Sequence, residues 1–439
     1  MARRKIREYD AKMLLAGYLP SLGFTFKWKG ILITPDTNLD SLPHEYPWLL
    51  TTVLVVKPDQ LFGQRGKLGL VGINLSFEGV KEFLSTHRNK EITIGKATDR
   101  LTHFLIEPYQ EHKEEYYLDF SSQRNEDIVY FSTRGGIDIE ENWYKVISFS
   151  VPTLTTTINL ENITEFIIKP VSISRIVNPN EKSTVSNNIF IPQNLIPFIQ
   201  TMLKAFRELD FTDLELNPFT IDEHNQIHIL DTVAQIDDSA AFRHHTEWKN
   251  LTFPRPFGRK SYPEEEYIAN LDRDSGASLK LTILNPKGRI WNILSGGGAS
   301  IIYLDTMADL GKPVEIANYG EYSGNPTTEE SYQYAKTILK LLTREHHQQG
   351  KVLVIGGAIA NFTDVEKTFT GIIKALREYQ EQLHQGKISI FVRRGGPNYE
   401  KGLQLMREAG KELNIPILVQ GPDTPMVEIV GKAMEFLDT

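Results

Sequence analysis

Residues 351–365 read KVLVIGGAIANFTDV, and this passage decides the architecture of the second half of the chain. Val352–Ile355 is short, rich in β-branched residues and apolar at every position rather than at alternate ones. A strand of that kind has both faces covered, as in a parallel sheet with helices on each side. Two glycines end it, and FTGIIKALREYQEQL (369–383) follows with apolar residues at helical spacing.

The same rhythm extends outward. SLKLTILN (278–285), RIWNILSGGG (289–298), KISIFVRRGG (387–396) and IPILVQG (415–421) read as strands. TEESYQYAKTILKLLTREH (328–346), KGLQLMREAGKEL (401–413) and PMVEIVGKAMEFL (425–437) read as helices. Strands alternating with helical stretches predict a doubly wound parallel sheet, which binds ligands beyond the carboxyl ends of its strands. Four glycine-bearing passages are expected there as loops: GGAIANFT, RRGG, LSGGGAS (294–300) and ANYGEYSG (317–324). An arginine at such a strand end, beside helix amino ends, suits a carboxylate or phosphate. Thr363 and Glu366 also have capping-box spacing, so Thr363 is open to a purely structural reading as a helix cap.

The first half has no such regularity. The run Val53–Val56 in LLTTVLVVKPDQL reads as a buried strand, and ITEFIIKPVSISRI (163–176) adds shorter candidates. Lys57 follows the first run, and Arg65, Gly66 and Lys67 lie in a glycine-bearing turn. Lysines beside such a turn hold polyphosphate by point charge and backbone amides, or form an ordinary surface hairpin. LELNPF (214–219) and IHILDT (227–232) have the spacing of adjacent antiparallel strands, which brings Asn217 near Asp231, with Glu215 in reserve. An amide and a carboxylate completed by phosphate oxygens and water suit Mg²⁺, although such a pair is also common on hairpins. THFLIEPYQEHKEEYYLDF (102–120) has the shape of a hinge that holds a nucleobase through Glu107, with Glu114 or Glu115 toward the ribose.

Composition sets the outer limits. The 439 residues exceed one ordinary core, and a break is expected at the Pro- and charge-rich stretch over 245–267. The absence of Cys excludes disulfides and thiolate chemistry within the chain. A net charge of −8 without a long basic block argues against nucleic acid as a partner. No apolar run approaches the roughly 18–20 residues that span a bilayer, so no membrane partner is expected. MARRKIREYDAKMLLAGYL reads as an amphipathic helix rather than a secretory signal, and a cytoplasmic location is the expectation.

Taken together, VVKPDQL…RGKLGLVG, FLIEP, LELNP…LD, FPRPFGR, GGGAS, ANYGEYSG, IGGAIANFT and FVRRGGPNY closely resemble ATP-citrate lyase, in the portion equivalent to the succinyl-CoA synthetase β chain. The likeness runs over nearly the whole sequence in unbroken order. It implies an ATP-grasp nucleotide-binding module over 1–244, a linker region over 245–267 and a flavodoxin-like citrate-binding CoA-ligase domain over 268–439. Lys57, Arg65, Gly66, Lys67, Glu107 and Glu115 are then the ATP positions, with Glu114 an alternative to Glu115, and Asn217 and Asp231 the Mg²⁺ positions. Gly298, Ala299, Ser300, Asn361, Phe362, Thr363 and Arg394 are the citrate positions. Ala358 stands where the family can carry a serine.

The family reaction passes through a phosphohistidine in a glycine loop, and none of the 11 histidines here lies in one. The resemblance therefore places that histidine, most of the CoA site and a citrate-synthase-like part on a second subunit, with no catalytic residue in this chain. The implied activity is ATP- and CoA-dependent conversion of citrate to acetyl-CoA and oxaloacetate by the complex. The alternatives are the large subunit of a citryl-CoA synthetase, which ligates without cleaving, and a non-catalytic regulatory or partner-binding subunit.

Overall fold

A computed structural model describes residues 3–155, 169–170, 191–260 and 262–438. The chain divides into two compact units, Met1–Arg259 and Lys260–Thr439. The dividing point lies inside the stretch expected as a linker. Most of that stretch nevertheless belongs to one unit or the other: Trp248 is buried in the first core, and the helix Pro263–Asp274 opens the second. No helix among the described residues is long and apolar enough to cross a membrane.

The second unit is a six-stranded sheet in the order Ser278–Ile283, Asn318–Ser323, Ile290–Ser295, Lys351–Gly357, Ile388–Arg393, Ile417–Gln420. All neighbours are parallel except the first pair, which runs antiparallel in the register Ser278↔Ser323 to Ile283↔Asn318. Side-chain alternation shows why the sequence lacks a period of two. Leu353 and Ile355 face the helices Thr328–Leu342, Val365–Glu378 and Tyr399–Leu413, while Val352 and Val354 face Gly297–Asp309 and Met426–Asp438. With a helix layer on each side, every position of the strand is buried. Two expectations are corrected. ANYGEYSG is the strand Asn318–Ser323 rather than a loop, with Gly320 lying so close to the Asn292 carbonyl that a Cβ would sit 2.7 Å from it. The N-cap of Val365–Glu378 is Asp364, whose carboxylate accepts from Lys367 N at 3.0 Å, and Thr363 is the residue before it.

Among the described residues the first unit has three antiparallel sheets, the smallest being the two-stranded pair Glu91–Ile94 and Ala97–Arg100. The largest runs Arg3–Ile6, Thr232–Asp237, Phe211–Ile221, Tyr116–Ser122, Glu126–Ser132, Ile147–Pro152, Lys169–Pro170, with Ile227–Ile229 beside Phe211–Ile221. One face packs on the helices Glu8–Tyr18 and Ile196–Glu208; the latter buries Phe198, Ile199, Met202, Leu203 and Phe206 at helical spacing. The intermediate sheet runs Ile31–Ile33, Phe104–Pro108, Leu54–Pro58, Gly72–Leu75 and is covered by Phe77–His87. Apart from Lys169–Pro170, the ITEFIIKPVSISRI stretch lies outside the described residues.

Candidate functional site

In the first unit the sheet ends converge on a buried group of charges. Lys57, on the strand Leu54–Pro58, directs its Nζ to Glu8 Oε1 and the Leu230 carbonyl, both at 2.6 Å, and to Glu107 Oε2 at 3.4 Å. Glu107 sits on the neighbouring strand and also accepts from Lys12 at 2.8 and 3.1 Å and from Trp28 Nε1. Arg65 pairs with Glu8 Oε2 at 2.9 Å and with Asp231, and donates to the Pro58 carbonyl at 2.9 Å. The structure thus brings Lys57, Arg65, Glu107 and Asp231 together.

The electrostatics follow from the burial. Desolvation would raise the Glu8 carboxyl, but Lys12, Lys57 and Arg65 outweigh it and hold Glu8 well below the usual range. Desolvation would likewise lower Lys57, yet Glu8, Asp231 and Glu107 push it above its ordinary value, and carboxylates do the same for Arg65. Burial raises Asp231 despite Arg65. Asp59, two residues past Lys57, accepts from Glu8 N at 2.9 Å and Tyr9 N at 3.0 Å, and burial together with Glu8 moves it up to about 6. A cavity of about 190 Å³ borders this group, lined by Glu8, Asp59, Gly63, Arg65 and Thr232 among others.

Asn217 lies beside Asp231 through a backbone bond, Asn217 N to Asp231 O at 3.0 Å. Its side-chain oxygen accepts from Gly136 N at 2.8 Å, and its amide donates to Glu215 at 3.2 Å. Asn217, Glu215 and Asp231 offer only hard oxygen donors, which fits Mg²⁺. Among the described residues no three His, Cys, Asp or Glu side chains are grouped to hold a metal by themselves. Glu115 lies against Gly136, at the loop that holds Asn217, and meets His112 at 3.0 Å; Glu114 accepts from the Tyr116 hydroxyl. Lys67 is more exposed, 3.8 Å from Glu140, and Gly66 packs near Ile137.

Sequence reasoning missed Glu8, Lys12, Trp28 and Asp59. The available signal was the i,i+4 pair Glu8 and Lys12 flanking Ala11 on the side that carries Leu14 and Leu15, since a charge on an apolar face has to find a buried partner.

In the second unit the site forms where the strand order reverses, between Ile290–Ser295 and Lys351–Gly357. Arg394, 2% exposed, donates to the Ser295 hydroxyl at 2.7 Å and to the Ala358 carbonyl. Its Nε has no partner, and no carboxylate lies within ion-pairing distance among the described residues. Arg393 is turned elsewhere and spent on three carbonyls, Gly357 and Pro422 at 2.8 Å and Thr424 at 2.9 Å. The loop after Gly357 is tied to the Arg394 segment by Ala360 N to Gly395 O at 2.9 Å. It leaves Asn361 exposed and Phe362 67% exposed, while Thr363 is buried. At the neighbouring strand end Gly296 has φ 88°, and the helix Gly297–Asp309 starts immediately. Gly298 is exposed there; Ala299 is buried, and the Ser300 hydroxyl is spent on the Gly296 carbonyl at 2.9 Å. A separate cavity of about 220 Å³, around Leu383, Ile388 and Ile415, lies at the opposite strand ends.

Comparison with known proteins agrees with both halves. Residues 2–248 match the family described as the ATP-citrate synthase ATP-grasp domain, and 259–436 match ATP citrate lyase citrate-binding. The chain is 43% identical to ATP-citrate synthase alpha chain protein 2 of Arabidopsis thaliana, covering 100% of this chain and 99% of that one. It is 45% identical to ATP-citrate synthase of Homo sapiens over 99% of its own length, but spans only 38% of the human protein. The structure of ATP citrate lyase from Methanothrix soehngenii in complex with citrate and coenzyme A superposes with a TM-score of 0.86 at 48% identity, covering 99% of this chain and 100% of that chain. With both family regions present in order and relatives of this similarity matched along the full chain, the protein belongs to the ATP-citrate synthase, or ATP-citrate lyase, family.

Proposed function

We propose that this chain is the nucleotide- and citrate-binding subunit of an ATP-citrate lyase, acting with a second subunit that carries the phosphohistidine and most of the CoA site. The observation that carries the reading is Arg394, a buried guanidinium without a carboxylate, placed at the reversal point of a doubly wound sheet. An uncompensated buried cation is costly, and an anionic ligand removes that cost.

In the first unit Lys57 and Arg65 hold the phosphates of ATP, with Gly66 and Lys67 in the covering turn, and Glu107 and Glu115 serve the nucleoside. Asn217 and Asp231 hold Mg²⁺, which when bound offsets charge on the phosphate oxygens. The γ-phosphoryl group passes to the partner's histidine and from there to a citrate carboxylate. In the second unit Arg394, the exposed amide of Asn361 and the helix end at Gly298 hold citrate. Fixed donors at that point offset the repulsion between a tricarboxylate and an incoming phosphoryl group. Ser300 and Thr363 act by shaping the two strand-end turns. The CoA thiol then displaces phosphate from citryl phosphate to give citryl-CoA, and cleavage to acetyl-CoA and oxaloacetate takes place in the complex.

Calorimetric titration of the purified chain with citrate and with MgATP tests the reading. Independent binding of both is expected, and a chain that binds neither would rule it out.

A further inference from the structure

The charge group around Glu8 is balanced in a way that a phosphate site alone does not require. Lys12, Lys57 and Arg65 face Glu8, Glu107 and Asp231. Asp59 also faces Glu8, but its oxygens answer the N–H groups at the start of the helix Glu8–Tyr18. Glu8 alone touches all three cations: Lys12 at 2.7 Å, Lys57 at 2.6 Å and Arg65 at 2.9 Å. Without Glu8 each cation would still have a carboxylate, Glu107 for the two lysines and Asp231 for Arg65. Glu8 is therefore not needed to hold any one of them in place. Its distinctive contribution is a negative charge at the point where Lys57 and Arg65 converge, with Lys12, fully buried, supplying the opposing charge from one helical turn away.

We infer that Glu8 and Lys12 are an opposed pair of charges that sets the affinity of the nucleotide site: Glu8 is a built-in counter-ion that weakens triphosphate binding, and Lys12 strengthens it. The inference rests on the reading of Lys57 and Arg65 as the phosphate-holding residues.

The test is calorimetric titration of the full chain with MgATP for wild type, Glu8→Gln, Lys12→Gln, the double variant and Lys57→Ala, each checked by thermal unfolding. Glu8→Gln should tighten binding about tenfold, Lys12→Gln should weaken it by a similar factor, and the double variant should return close to wild type. A pair that merely supports the fold would shift both single variants toward weaker binding, and that result overturns the inference. So does unchanged affinity in either folded single variant. Should Glu8→Gln not fold, comparison of the double variant with Lys12→Gln decides: tighter binding by the double variant than by Lys12→Gln supports the inference, and equal or weaker binding overturns it. If neither single variant folds, the pair is needed for folding and the inference falls. Wild type that fails to bind MgATP, or Lys57→Ala that binds it undiminished, instead overturns the underlying nucleotide-site reading.

Discussion

Arg394 donates to the Ser295 hydroxyl at 2.7 Å while also reaching the Ala358 carbonyl, so one side chain ties together the ends of two adjacent parallel strands. It does so from a third strand end, immediately after Ile388–Arg393. The guanidinium therefore stands as a fixed positive charge on the floor of the reversal point, its Nε without a partner among the described residues. A lysine could supply the charge but not the two-sided fork.

Arg394→Ala is expected to weaken citrate binding about 10- to 100-fold, the loss associated with hydrogen bonds to a charged group. MgATP binding should be unaffected. Arg394→Lys should recover only part of the citrate affinity. Titrating both ligands against each variant checks this, and equal loss of both would contradict the assignment.

Asp231→Asn should have the opposite selectivity. ATP affinity should fall at least about tenfold in the presence of Mg²⁺, since the variant loses the only carboxylate of the Asn217–Asp231 pair. Citrate binding should remain. Chelating Mg²⁺ should weaken ATP binding to wild type and add little to the effect of the substitution.

Gly356→Ala tests the packing beneath the second site. A Cβ there would meet the Tyr303 ring at 2.5 Å, and Tyr303 is fully buried, accepting from Gly357 N at 3.2 Å. The ring has no room to withdraw, so a destabilisation of about 1–3 kcal/mol is expected. Denaturant melts should show a lower midpoint with an unchanged slope.

Asp59 gives a signed pH dependence. Burial and Glu8 raise its carboxyl from 3.8 to about 6. A group raised in the folded state contributes stability that is fully present below its unfolded value and is lost as pH rises through its folded one. The Asp59 contribution should therefore decline between about pH 4 and pH 6. Asp59→Asn removes the titration, at the expense of one of the two bonds to Glu8 N and Tyr9 N. The difference in unfolding free energy between wild type and variant should shift in favour of the variant across that window. A difference that is flat with pH would remove Asp59 as its source.

The strands of the second sheet were legible because burial on both faces leaves continuous apolar runs such as Val352–Ile355, and these runs alternate with helical stretches. Asn318–Ser323 escaped because it alternates buried and half-buried positions and carries Gly320, so that it resembles a turn. The antiparallel sense of Ser278–Ile283 was not legible, since side-chain periodicity is the same in either direction. Asp364 displaced Thr363 as the helix cap because both neighbours are good capping residues and the backbone alone decides which comes first. In the first unit, the 14-residue separation of Asn217 and Asp231 correctly implied adjacency, which the Asn217 N to Asp231 O bond provides. For Glu8 the charge pair with Lys12 on an apolar helix face signals a buried partner, but nothing in the spacing says that this partner is Lys57, 49 residues away.

The second sheet also ends abruptly. Its last strand, Ile417–Gln420, lies at the margin with no further neighbour among the described residues, and Leu418 is exposed. Pro416 precedes the strand and Gly421–Pro422 follows it, so a strand from another molecule would find only a short ladder before meeting residues that cannot extend it. The punctuation that limits this strand therefore also discourages fibrous self-association, a protection that a longer, more regular border would forfeit.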